Sequence, residues 1–129
     1  MARTVGELLS EARSTLDRLE PLAALAEARV GALVIDTRCH EQRVDSGVIP
    51  GSVHVPLSVL LWRLDPTSGF GDPALSDPTR RVILVCAHGF SSSLAAATLR
   101  QLGFDRATDI IGGFEAWEAA GLPVERGPG

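Results

Sequence analysis

Apolar positions along the chain switch between a helical and a strand-like period. Thr4 and Glu7 have the spacing of a capping box, and Val5, Leu8, Leu9, Ala12, Leu16 and Leu19 follow at helical intervals, which predicts an amphipathic helix within residues 1–20. Pro21 opens a second helix running to about Arg29, with Gly31 as its stop. Ala32–Ile35 is a short apolar run of the kind found in buried strands, and it ends in a polar rim of Asp36, Arg38, His40 and Glu41. Turn formers in the segment 47–56 bracket a short strand at Ser52–Val55. The stretch Asp65–Arg80 is rich in Pro, Gly, Ser and Asp and reads as a surface loop. Val82–Val85 is the strongest strand pattern, apolar throughout, and it ends at Cys86. Gly89 and three serines lead from there into a helix that starts near Ser91 or Ser92 and runs through Leu94–Leu102, with Gly103 just past its end. Ala107–Ile111 forms a further strand, and Gly112 and Gly113 introduce a last helix around Phe114–Ala120.

Strands alternating with helices imply an α/β domain whose parallel sheet is covered on both faces, because each crossover lays a helix over the sheet. Ligands in such sheets gather beyond the carboxyl ends of the strands. Both the Asp36–Glu41 rim and Cys86 fall at such ends.

Composition narrows the chemistry. A length of 129 residues with 45% hydrophobic content suits one compact domain. The formal charge of -4 argues against nucleic acid as a partner. All 12 cationic side chains are Arg, so no lysine Schiff base or lysine general base is available. The first residues mix apolar with charged side chains, and no stretch reaches the run of about 18 apolar residues that a membrane span needs, so a cytoplasmic protein with no membrane partner is expected. Cys39 and Cys86 are too few for a disulfide scaffold, and no Cys or His pair has ligand spacing, so neither a metal nor another cofactor is expected.

The strand, Cys86, a tight loop and a helix start form the one constellation with evident reactivity. Successive N–H groups in such a loop turn inward as an anion-binding nest, and the helix N-terminus adds partial positive charge. Together they lower the pKa of a cysteine placed there. The resulting thiolate can attack a sulfane sulfur, and the same cradle then holds the persulfide anion. The bland reading of Cys86 is a small buried residue at a strand end; the flanking Gly and hydroxyls favour the reactive one.

This loop resembles the active-site loop of rhodanese domains, and the likeness extends over most of the chain. Val34–Arg38 is similar to the family's strand ending in Asp-x-Arg. Gly47, Ile49, Pro50, Gly51 and Pro56 resemble its Gly- and Pro-bearing segment, and the stretch 112–124 resembles its C-terminal pattern of paired Gly, Trp, Gly and Pro. The resemblance implies a three-layer α/β/α rhodanese-like domain over residues 21–129, with a central five-stranded, mostly parallel sheet and an N-terminal helical extension that lies outside the likeness. It implies a sulfurtransferase in which Cys86 carries sulfur from thiosulfate, 3-mercaptopyruvate or a persulfide to a thiol or cyanide acceptor, with an acceptor protein as a further partner. Ala87, His88, Gly89, Phe90, Ser91 and Ser92 would surround the substrate together with Arg38, while Asp36, Gly112, Gly113 and Trp117 would be structural.

Several positions depart from the family pattern. Ser91 stands where many single-domain rhodaneses have Arg and tandem-domain relatives have Thr, and Val48 stands where the family often has His. Ala87 and His88 also replace cations that thiosulfate-preferring relatives carry after the Cys, so thiosulfate is expected to be a poor donor. The missing Arg keeps a rival reading open, that of a non-enzymatic sulfur carrier or interaction module. Phosphatase activity is disfavoured because dual-specificity phosphatase loops are one residue longer and end in Arg, which holds a phosphate bidentately. Asp36 and Arg38 are read chiefly as a bracing pair, Cys39 as a surface or packed thiol, and Trp62 and Trp117 as packing anchors.

Overall fold

The computed structural model describes residues 2–127. Its centre is a sheet of four parallel strands, β1 (Leu33–Asp36), β2 (Val53–His54), β3 (Val82–Val85) and β4 (Ala107–Asp109), in the order β2-β1-β3-β4. Each of β1, β3 and β4 is buried along its whole length, which explains their lack of polar alternation.

Successive side chains point to opposite faces and build two cores. Leu33, Ile35, Val82 and Leu84 pack with Leu60, Leu64, Ala96, Leu99 and Phe104. Val34, Ile83 and Val85 pack on the other face with Ala24, Ile110, Phe114 and Trp117. The first core is closed by α4 (Leu60–Leu64) and α5 (Ser91–Gln101), the second by α2 (Pro21–Arg29) and α6 (Gly113–Ala119). α3 (His40–Ser46) follows the polar rim of β1. This is the three-layer α/β/α arrangement expected from the pattern.

The sheet has four strands rather than five. The place beside β4 is taken by one bridge residue, Leu19, whose N–H donates to the Asp109 carbonyl (3.1 Å) and whose carbonyl accepts from Ile111 (2.8 Å). Pro21 ends any ladder there, because it lacks an N–H and already occupies the first turn of α2.

The first helix, α1, spans Val5–Ser14 and packs on α5. Its capping box is formed: Glu7 N–H donates to Thr4 Oγ1 and Thr4 N–H to Glu7 Oε1. The helix stops short of the predicted range because Leu16 and Leu19 are drawn into the two cores separately. Among the described residues, no helix is long and apolar enough to cross a membrane.

The two tryptophans have different fates. Trp117 is fully buried and its indole N–H donates to the Pro123 carbonyl (2.8 Å). Trp62 is 54% exposed, so it is not a packing anchor: α4 turns Leu60 and Leu64 inward at i, i+4 spacing and leaves Trp62 outside.

Candidate active site

The loop from Cys86 to Phe90 connects β3 to α5 at the carboxyl edge of the sheet. Cys86 is 6% exposed. The Gly89 N–H donates to its Sγ at 3.1 Å, and the thiol donates to Ser92 Oγ at 3.2 Å. Burial pushes the thiol pKa up, but the Ser92 hydroxyl and N–H, the Ser91 hydroxyl and the Gly89 N–H outweigh it and hold the group below an ordinary cysteine. The groups that favour the ionised sulfur are thus the Gly89 N–H and the first turn of α5, a narrower set than the successive inward-facing N–H groups expected from the sequence.

The loop keeps this shape because its carbonyls are tied elsewhere. Phe114 N–H donates to the Cys86 carbonyl (2.8 Å) and Glu115 N–H to the Ala87 carbonyl (3.1 Å), so the start of α6 is stitched to the loop. The approach is close enough to require Gly113, whose φ is +63°. A Cβ there would lie 2.5 Å from the Cys86 carbonyl oxygen and 2.7 Å from Gly89 N, both backbone atoms that cannot swing away. Gly113→Ala is therefore expected to cost about 2–3 kcal/mol, from a strained backbone plus overpacking. Urea denaturation checks this, and an unchanged midpoint would contradict the fit. Gly112 takes the left-handed N-cap of α6 (φ +76°).

The other expected residues divide clearly. His88 and Phe90 are exposed at the rim, with His88 Nδ1 2.9 Å from Glu115 Oε2. Arg38 is 4% exposed. Its Nη2 donates to Asp36 Oδ2 (2.8 Å) and to the Gly47 carbonyl (2.7 Å), and its guanidinium lies 3.9 Å over the Phe114 ring. Asp36 also accepts from Arg43 Nε (3.2 Å). Arg38 borders a cleft of about 220 Å³ with Ala87, His88 and Phe114, while its Nε and Nη2 are held by Asp36 and Gly47. Cys39 is exposed at the start of α3, and both cysteines are free thiols. No cluster of three His, Cys, Asp or Glu able to hold a metal occurs among the described residues.

Four residues near the sulfur are absent from the pattern-based list. Ser92 donates its hydroxyl to Asp109 Oδ2 (2.7 Å), and Ser93 does the same (2.7 Å). Asp109 is fully buried and meets Arg18 Nε (2.8 Å) and Nη2 (3.2 Å). Arg13 Nη2 and Arg18 Nη2 both donate to the Gly89 carbonyl, at 2.8 and 3.2 Å. The signal for Asp109 was legible as an acid inside an apolar strand, since a buried charge demands a partner. Nothing local in the sequence points from it to Arg13, Arg18 or Ser93.

A family model of rhodanese-like domains matches residues 19–120. The thiosulfate sulfurtransferase GlpE of Pseudomonas savastanoi pv. phaseolicola is 37% identical over 102 residues, covering 79% of this chain and 87% of that protein. The thiosulfate sulfurtransferase GlpE of Actinobacillus succinogenes is 52% identical over 44 residues, a match that spans 34% of this chain and 40% of that relative's length. Among solved structures, a Rhodopseudomonas palustris protein of unknown function, described as a possible tyrosine phosphatase, is 31% identical, with a TM-score of 0.89 over 97% of this chain and 96% of that one. By the extent of the family match and the near full-length relative, this chain belongs to the rhodanese-like domain family.

Proposed function

We propose that this chain is a rhodanese-type sulfurtransferase that works by double displacement through a persulfide on Cys86. The observation that carries the reading is the thiol's setting: a buried sulfur whose ionised form is favoured by the Gly89 N–H and the hydroxyls and amide of the first turn of α5. In the first step the Cys86 thiolate attacks the transferable sulfur of the donor, the sulfane sulfur of thiosulfate or a persulfide or the thiol sulfur of 3-mercaptopyruvate, whose pyruvate carbon leaves as an enolate and takes up a proton. A new S–S bond forms, the donor's bond to that sulfur breaks, and the leaving group departs with the electron pair. In the second step a thiolate or cyanide attacks the outer sulfur, the S–S bond breaks, and Cys86 regains its thiolate. No outside oxidant or reductant enters, and the proposal places this chemistry in the cytoplasm, where the two thiols remain reduced.

The relatives are named for thiosulfate, but the loop here carries no Arg between Cys86 and Ser92, and Arg38 is engaged by Asp36 and Gly47. A dianionic donor thus meets little positive charge at the mouth, so 3-mercaptopyruvate or a small persulfide is expected to be used with a higher kcat/KM than thiosulfate. The same lack of Arg disfavours a phosphatase reading, since nothing in the loop offers a bidentate guanidinium to a phosphate. Intact-mass spectrometry after exposure to each donor tests the reading. One added sulfur, mapped to Cys86 and discharged by cyanide as thiocyanate over many turnovers, is the expected result. A sulfur adduct discharged only once would support the non-enzymatic carrier instead, and an unmodified Cys86 with every donor would refute both.

A further inference from the structure

The residues beneath the Cys86 loop include a buried carboxylate that the transfer steps above do not use. Asp109 stands two hydrogen bonds from the sulfur, through the Ser92 hydroxyl. That hydroxyl has one proton. While Cys86 is a thiol, the proton goes to Asp109; when Cys86 is a thiolate or persulfide, the hydroxyl must turn and donate to the sulfur. Asp109 then keeps three donors, the Ser93 hydroxyl and the Nε and Nη2 of Arg18. An uncompensated carboxylate in this position would hold the Ser92 proton and repel a negative sulfur across a dry interior.

We propose that Arg13 and Arg18, with Asp109, are positioning residues that form the charge support of the Cys86 loop from behind, so that the N-terminal segment is a working part of the site. Arg18 neutralises Asp109 and frees the Ser92 hydroxyl to turn. Arg13 and Arg18 together hold the Gly89 carbonyl, which fixes the residue whose own N–H donates to the sulfur. Two cations against one anion leave a net positive charge under a loop that has Ser91 where related loops carry Arg. Both arginines precede the residues matched by the family model, so they lie outside that model's shared pattern. Elsewhere around the loop, His88 Nδ1 lies 2.9 Å from Glu115 Oε2 at the rim, and Arg38 pairs with Asp36 at the end of β1.

The inference rests on Cys86 being the reactive sulfur, and it is tested without any sulfur donor. The pH dependence of iodoacetamide alkylation, followed by mass at the Cys86 peptide so that Cys39 does not contribute, reads the thiolate directly. Arg18→Gln, which removes charge but keeps a polar side chain, is expected to raise the midpoint by about one pH unit, a tenfold loss of thiolate below it. Arg18→Gln combined with Asp109→Asn is expected to return the midpoint close to that of the parent protein, a rescue that a purely structural role would not give. Asp109→Asn alone, which needs no change at Arg18 and so stands even where Arg18→Gln fails to fold, is expected to lower the midpoint. The inference is overturned by an Arg18→Gln midpoint equal to the parent's, by a double variant that keeps the full rise, or by an Asp109→Asn midpoint that is unchanged or higher. A Cys86 that ionises readily while the variants titrate like the parent sinks this inference alone. A parent Cys86 that resists alkylation well into alkaline conditions sinks the proposed function with it.

Discussion

Cys86→Ser is expected to reduce thiocyanate formation from any donor by on the order of 10³-fold or more, because it removes the atom that becomes covalently loaded. A serine oxygen at this position still fits the cradle: it can accept from the Gly89 N–H and exchange a hydrogen bond with Ser92, as the sulfur does now. The variant should therefore fold with a thermal midpoint close to the parent's, and the loss is chemical. A hydroxyl is far harder to ionise than a thiol, and the same two donors cannot close that gap. Steady-state assays with cyanide as acceptor measure the effect. Retention of a tenth or more of the parent kcat/KM would place the transferable sulfur elsewhere, with Cys39 as the one other thiol in the chain.

The part of the site that was legible in the sequence is the part built by neighbours along the chain. Val82–Val85, Cys86, Gly89 and the serines lie within one strand-loop-helix unit, so turn chemistry and period alone place the sulfur at a helix start. The bracing pair Asp36 and Arg38 was legible for the same reason, being two residues apart. The support beneath the loop was not. Arg13 and Arg18 reach Gly89 and Asp109 across 71 to 91 residues, and an arginine on an amphipathic helix carries no mark of which distant carboxylate it will meet. The fold shows the same division. Alternation of strands and helices predicts a covered parallel sheet, whereas the count of strands depended on whether Leu19 would extend a ladder, and Pro21 two residues later settles that in favour of a single bridge. Helix termination at Ser14 follows from tertiary demand on Leu16 and Leu19, which local period cannot weigh.

Asp36→Ala is expected to be the most destabilising single substitution near the site, costing about 3–5 kcal/mol, since it strips the counter-charge from two buried arginines. Asp36 is 1% exposed and accepts from the Arg38 N–H, from Arg38 Nε and Nη2, and from Arg43 Nε. The Arg38 side chain is only 2% exposed, so its charge is poorly hydrated, and that of Arg43 is 10% exposed. For a chain of this size the loss corresponds to a fall in thermal midpoint on the order of 10 °C or more. Asp36→Asn keeps an acceptor oxygen and should fall less. The consequence for the sulfur is indirect. Arg38 lies on the Phe114 ring, and the Phe114 N–H holds the Cys86 carbonyl, so a displaced Arg38 loosens the loop without touching the reacting atoms. Well below the midpoint, Asp36→Ala should therefore retain transfer within about tenfold of the parent, a loss of no more than roughly 1.4 kcal/mol in transition-state stabilisation. A midpoint within 3 °C of the parent's, or the loss of activity in a fully folded variant, would show that this pair serves the substrate more than the scaffold, because a bracing group spends its energy on the fold.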